Sequence, residues 1–261
     1  VTVPPVDVQA RIAAPLAAID DLIEKNRRRV EVLEKMAKAI YREWFVHFRY
    51  PGHEDATFVD SPLGPIPEGW EVKPLHDAAA LVRGRSYRKN ELVDEGGLPF
   101  VNLKCMMRGG GFRRDGLKRY DGQFKEEQLV RAGDVVLAVT DLTQGREILA
   151  RATLVPQLPG GVGVISLDVA RIVASVPEDR LWTFAALRWS DFADRVKEFA
   201  NGSTVLHLSP IHVAEGDIIW PTKGLREQFV ALLEPVTLAI DDLNEAAERL
   251  ASIRGLLLPK L

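Results

Sequence analysis

The sequence predicts a mixed α/β (α+β) globular domain flanked by two long helices that pair as an antiparallel coiled coil. Three observations carry the prediction. An apolar seam runs through Ile12, Leu16, Ile19, Ile23, Asn26, Val30, Leu33, Ala37, Ile40 and Trp44, stepping alternately by four and three residues. A second seam with the same alternation runs through Phe229, Leu233, Val236, Ile240, Leu243, Ala247, Leu250, Arg254, Leu257 and Leu261. Between them the chain breaks into short apolar runs separated by glycine and proline, the pattern of a small sheet domain.

Each seam is narrow, two positions per heptad, and the faces between are charged: Asp20, Asp21, Glu24, Lys25, Arg27 and Arg28 fill the first helix. A narrow stripe needs a partner helix rather than a broad core. At ~1.5 Å per residue the first segment would extend roughly 50 Å, too long to lie on a compact core without projecting. The two stretches share a text repeat. Ile19-Asp20-Asp21-Leu22 precedes Glu24, and Ile240-Asp241-Asp242-Leu243 precedes Glu245, with Pro15 and Pro235 upstream, then Gln9 and Gln228, then Pro5 and Pro221. A duplicated helix around a globular middle suggests a repeated module of helix, domain, helix. The alternative is two amphipathic helices packed on the domain's own core, against which the length and narrowness of the seam argue. The expected coiled-coil contacts are Ile19, Ile23, Val30, Leu33, Ile240, Leu243 and Leu250, with Asn26 as the polar residue that fixes register.

In order, residues 1–50 are read as a long spacer helix, 51–67 as a linker rich in proline, glycine and acids, 68–220 as the globular domain and 221–261 as the distal helix. Val1 to Asp7 is expected to be extended, and the first helix to run to about Phe48. Trp44, Phe45, Phe48 and Tyr50 crowd its end and are expected to seat it by burying apolar area; a base-stacking platform is the lesser reading. A strand is expected at Glu71 to Pro74 and a short helix at Leu75 to Leu81. A flexible basic loop follows from Arg83 to Lys89. Strands are expected at Leu98 to Leu103, Val135 to Val139 and Val164 to Ile172, a helix at Leu181 to Phe199, and a strand at Asp217 to Trp220. Gly109-Gly110-Gly111 opens a second basic loop in which the backbone can approach a ligand closely.

The chain has 261 residues, of which 46% are hydrophobic, room for one substantial domain with appendages. No run approaches the ~18 apolar residues of a membrane span. It opens at Val1 without methionine, which reads as an internal start. The single Cys105 fits a reducing, cytoplasmic setting. The net charge of −3 hides a local excess of base. From Arg83 to Arg119 there are ten cations against four acids. Such a stretch is compatible with phosphate binding by one surface, and equally with a solvated loop face.

The search for catalytic patterns is negative. There is no phosphate loop ending in Gly-Lys-Ser or Gly-Lys-Thr, no Gly-x-Ser-x-Gly elbow and no His-Glu-x-x-His. His47, His53, His76, His207 and His212 lack metal-ligand spacing. Asp134, Asp141 and Asp168 sit at strand ends, where turn chemistry accounts for them. An enzyme is the weaker class.

Several stretches together resemble the DNA specificity subunits of type I restriction-modification systems. Val3-Pro4-Pro5 with Gln9, Ile19-Asp20-Asp21, Asn26-Arg27-Arg28, Leu33-Glu34 and Trp44-Phe45-Val46 are similar to the spacer helix after that family's first recognition domain. Phe58-Val59-Asp60-Ser61-Pro62-Leu63-Gly64-Pro65-Ile66-Pro67-Glu68-Gly69-Trp70 is similar to the entry into the second. Gly133-Asp134-Val135-Val136-Leu137-Ala138-Val139-Thr140 resembles its Gly-Asp-apolar strand, and Gln228 to Leu261 its distal helix. The likeness covers nearly the whole chain. Family members usually carry two recognition domains and this chain has one, so it looks like the second half of such a subunit or a half-length form that pairs with its own copy.

The resemblance implies a non-catalytic reader of one half of a split sequence in double-stranded DNA. It implies methyltransferase subunits docked on the helices, a restriction subunit joining the assembly, and S-adenosylmethionine and ATP with Mg²⁺ used by those partners, with no cofactor or metal bound by this chain. A reader needs phosphate anchors and side chains that reach base edges. Arg85, Arg88, Lys89, Lys104, Arg108, Arg113, Arg114 and Arg146 are the candidate anchors or guanine readers, since arginine offers guanine a two-pronged donor. Gln144 and Asn201 are candidates for adenine, Thr140, Thr143, Ser203 and Thr204 for phosphate or bases, and Tyr87 for stacking. A coiled-coil scaffold with a protein-binding domain is the rival reading, and DNA binding that weakens steeply with salt separates the two.

Overall fold

The structure, a computed structural model, describes residues 5–257. Of the stretch Val1 to Asp7 expected to be extended, residues 1–4 lie outside the described residues, as do the seam position Leu261 and the side chain of Ile12, whereas Val6 and Asp7 already belong to the first helix. Among the described residues two compact units form: residues 5–40 with 231–257, and residues 41–230.

The first unit is helical. The N-terminal helix Val6–Phe45 and the C-terminal helix Lys223–Leu257 supply it. Burial follows the seam: Leu16, Ile19, Ile23, Asn26, Val30, Leu33, Ala37 and Ile40 are buried or half-buried, and most positions between them are exposed. On the other helix Leu233, Val236, Ile240, Leu243, Ala247, Leu250, Arg254 and Leu257 do the same. The helices run antiparallel. Arg254, near the end of the chain, pairs with Asp20 near its start at 2.7 Å, whereas Leu243 lies with Leu33 and Val32 along a shallow apolar groove flanked by Arg28 and Arg29. The charged seam position Arg254 is thus explained by an acid on the opposite helix. Both helices continue through their internal prolines, Pro15 and Pro235.

The second unit opens with the last helical turn. Phe45, 2% exposed, meets Trp182 at 4.4 Å, Phe229 at 5.1 Å and Trp70 at 5.8 Å between ring centroids, and Tyr41 packs on Trp182 and Phe229. Strand Glu71–Pro74 pairs antiparallel with Asp217–Trp220, so the entry to and exit from the domain are tied side by side. The side chain of Arg226 packs over the Trp220 ring and forks onto Asp179, with Nε donating to Oδ1 at 2.8 Å and Nη2 to Oδ2 at 3.0 Å.

Two sheets build the body. One is antiparallel, in the order Ala152–Leu154, Val135–Ala138, Val169–Ala174, Ala79–Arg83. The other runs Leu92–Val93, Lys118–Tyr120, Leu98–Val101, Gly163–Ile165, Leu129–Val130, with Gly163–Ile165 parallel to Leu98–Val101. The crossing between them is tight at Gly84, where a Cβ would lie 1.9 Å from the Ser166 carbonyl oxygen. Val101, Val130, Val136, Ala138, Ile165 and Val169 form a closed core cluster. Helix Arg180–Trp189 buries Leu181, Trp182, Phe184 and Leu187.

Four local expectations are corrected. The stretch 51–67, read as a linker, carries a hairpin of Phe58–Val59 with Ile66–Pro67 that buries Ile66. Leu75 to Leu81 is one 3-10 turn, Leu75–Asp77, running into strand Ala79–Arg83. The helix expected over Leu181 to Phe199 is interrupted at Ser190, whose hydroxyl donates to Ala186 O at 2.6 Å and accepts from Phe192 N at 3.0 Å. The Arg83–Lys89 loop is pinned, because Arg85 N donates to Ile165 O and Leu167 N donates to Arg85 O. No helix among the described residues is long and apolar enough to cross a membrane.

Candidate nucleic-acid interface

The site is assembled by three turns of the body. Asn102, 7% exposed, caps the first: its Oδ1 accepts from Lys104 N at 2.9 Å, while its Nδ2 donates to Phe100 O and to Gly116 O. One buried amide thereby fixes the turn that carries Lys104 and the turn Arg114–Gly116 beside it. Arg113 N donates to Cys105 O at 2.8 Å, holding the next loop to the same strand end.

The second turn is Met107–Phe112. Gly110 stands at φ 96°, and the space beside it is filled by the Arg188 guanidinium, which a Cβ there would strike. The glycine run was expected to admit a ligand, but at Gly110 it admits a protein arginine. The third turn, residues 141–148, is knotted by Asp141, 2% exposed, whose carboxylate accepts from Thr143 N, Thr143 Oγ1 and Ile148 N. Turn chemistry, expected from sequence for Asp141, is what the residue performs. Arg108 Nε lies 3.0 Å from Glu147 Oε2, and Gln144 Nε2 donates to Ser203 O at 2.8 Å, joining the third turn to its neighbours.

These turns enclose a cleft of about 730 Å³. Of the residues singled out from sequence, Lys104, Arg108, Arg113 and Thr143 line it. Gln144, Arg146, Asn201, Ser203 and Thr204 follow on linked loops: Arg146 Nη1 donates to Glu198 Oε2 at 2.9 Å, and Asn201, Ser203 and Thr204 are exposed. Arg114 does not line the cleft; its Nη1 donates to Gln157 O at 2.9 Å. Arg85, Tyr87, Arg88 and Lys89 form a separate group beside the five-stranded sheet. There Tyr87 stands edge-on to Phe100 at 4.8 Å, Phe100 stacks on Tyr120, and Arg85 Nε reaches Tyr120 Oη at 3.4 Å. Thr140 is corrected: it is 3% exposed, in the short strand Thr140–Asp141 paired with Leu206–His207, and has no surface to offer a ligand.

Sequence reasoning passed over Lys118, Asp115 and Glu147, which also line the cleft. Lys118 opens the strand Lys118–Tyr120, in which it is exposed and Tyr120 is buried, and Asp115 stands two residues after Arg113. The cleft's charges divide into two kinds. Arg113 is forked onto Asp115, Nε to Oδ1 at 3.1 Å and Nη2 to Oδ2 at 2.8 Å, and that hydrogen bonding holds the Asp115 carboxyl below the usual carboxylate range. Among the described residues no carboxylate pairs with the ammonium of Lys104 or Lys118, and both side chains are exposed. Free cations beside a concave wall attract polyanions. No group of three or more His, Cys, Asp or Glu among the described residues is placed to hold a metal.

No protein-family model matches the chain. Over 99% of its length it is 26% identical to the type I restriction enzyme MjaIX specificity subunit of Methanocaldococcus jannaschii, of which the match covers 58%. Over the same share it is 20% identical to the HindI specificity subunit of Haemophilus influenzae, covering 67% of that protein. The crystal structure of a type I restriction-modification S subunit from M. genitalium superposes on 97% of the chain with a TM-score of 0.63, at 14% identity and over 60% of its own length. The chain shares the fold of that structure over nearly its whole length. Over nearly its whole length the chain is thus similar to specificity subunits of type I restriction-modification systems, and it spans about 58% of the first of these relatives.

Proposed function

We propose that this chain reads one half of a split sequence in double-stranded DNA, using the cleft of the body and the loops linked to it. The observation that carries the reading is the pair of exposed lysines, Lys104 and Lys118, which no carboxylate among the described residues neutralises, on a cleft shaped by buried polar caps. Phosphate anchors of that kind set the register of a protein on a duplex, and side chains on neighbouring turns then meet base edges. The paired helices hold the distance between this body and a second reader, and offer methyltransferase subunits a rigid surface. The second reader is either another recognition domain or a second copy of this chain.

In this reading the chain carries out no chemistry and binds no cofactor. Adenine methylation with S-adenosylmethionine belongs to the methyltransferase subunits, and cleavage with ATP and Mg²⁺ to the restriction subunit, all in the cytoplasm. The test is co-expression of the chain with its methyltransferase subunit, followed by mapping of methylated adenines across a genome. A split motif supports the proposal, symmetric for a self-paired half subunit and asymmetric when a different first domain is required. Methylation without sequence preference, or none, contradicts it.

A further inference from the structure

The arginines of the cleft are not equivalent as ligands for DNA, and their partners say why. A phosphate oxygen carries charge, so an arginine already neutralised by a carboxylate is a poor anchor: the incoming phosphate gains from the guanidinium and loses against the neighbouring acid. The N7 and O6 of guanine carry no net charge, so the same pair can bind them without that opposition. A fixed guanidinium is an asset there, because two-pronged recognition requires its plane to be held.

We propose that Arg113 and Asp115 form a preset guanine-reading unit, with Arg113 as the reader and Asp115 as the residue that positions it. The inference rests on the reading of the cleft as a DNA surface and assigns one base of the half-site to one side chain. Asp115 occupies the Nε and Nη2 edge of Arg113. That leaves Nη1 and the outer hydrogen of Nη2 as two adjacent donors, the pair that faces N7 and O6 of one guanine. The backbone of the unit is held at both ends: Arg113 N donates to Cys105 O, and Gly116 O accepts from Asn102 Nδ2. Both side chains remain accessible, at 52% and 73% exposure. Arg108 is less suited, since it meets Glu147 through Nε from a separate turn and is 72% exposed. Lys104 and Lys118, without carboxylates, are left to hold phosphate.

The test uses the full chain assembled with its methyltransferase subunits and a duplex carrying the mapped site. Each guanine of the half-site is replaced singly by 7-deazaguanine, which lacks the N7 acceptor. The wild-type complex is expected to lose roughly tenfold to a hundredfold in affinity at one guanine. Arg113→Lys, which keeps the charge, is expected to bind the unmodified site more weakly and to show no further loss at that guanine. Asp115→Ala is expected to flatten discrimination at the same position while binding scrambled duplex as well as wild type or better, a pattern that general loss of structure does not give. The inference is overturned if every guanine effect survives in Arg113→Lys, if Asp115→Ala weakens all duplexes equally with discrimination intact, or if the half-site contains no guanine. A wild-type complex with no site preference sinks the underlying reading instead, so the two failures are distinct.

Discussion

Asp20 lies 2.7 Å from Arg254, although the whole α/β body separates them along the chain. Their ion pair marks the antiparallel sense of the helices. Both side chains are substantially exposed, so such a pair is worth at most about 1 kcal/mol, and the apolar seam supplies the stability. Asp20 thus reports register more than it enforces it.

The buried ion pair of the body behaves differently. Arg226 and Asp179 are each 10% exposed at the side chain, and Arg226 also donates to Pro221 O at 2.6 Å. Asp179→Ala leaves a buried guanidinium uncompensated and is expected to cost about 3–5 kcal/mol in urea unfolding. A loss below about 1 kcal/mol would show that water reaches the pair.

Phe45 is the hub of the aromatic cluster, in contact with Trp44, Tyr41, Trp70, Trp182 and Phe229. Phe45→Ala is expected to destabilise the body by roughly 3–5 kcal/mol, because the rigid rings around it collapse poorly into the cavity. Thermal unfolding measures it, and an unchanged midpoint would mean the rings repack freely.

How much of this was legible in sequence depended on how local the cause was. The helical seams were readable because every heptad repeats the same signal, and strands Glu71–Pro74 and Asp217–Trp220 were found to the residue because each is bounded by proline, glycine or a turn. The hairpin within 51–67 and the burial of Thr140 depend on pairing with distant or irregular strands, and composition does not reveal that. In the cleft, sequence marked Lys104, Arg108, Arg113 and Thr143 by charge and turn type. It could not see that Arg188 would occupy the space at Gly110, because that contact joins residues brought close only by the fold.

Cys105 gives a pH-dependent prediction. Burial pushes its thiol up from the ordinary 9.0 to about 11, so the folded state keeps the proton that the unfolded chain releases. Stability from this group is therefore complete below about pH 9 and is lost progressively as pH rises towards 11. Denaturant midpoints across that window should fall more steeply for wild type than for Cys105→Ala, and alkylation of the native thiol at pH 8 should be slow until urea is added. Rapid alkylation without denaturant would contradict the burial.

The division of the cleft's cations predicts distinct salt behaviour. Lys104→Ala and Lys118→Ala are each expected to reduce the slope of log affinity against log salt by about 1 and to weaken binding similarly on specific and scrambled duplexes. Titrations at several salt concentrations measure it. Unchanged slopes would remove both lysines from the interface.

If the helix pair acts as a ruler and the body as a reader, as proposed, lengthening the ruler tests both at once. One heptad inserted at facing positions of both helices adds about 10 Å of rod, and a duplex advances ~3.4 Å per base pair. Methylated-adenine mapping of the co-expressed complex should then return the same half-site bases separated by a gap longer by at least roughly three base pairs. An unchanged gap, or altered half-site bases at the old spacing, would show that the helices do not set the spacing.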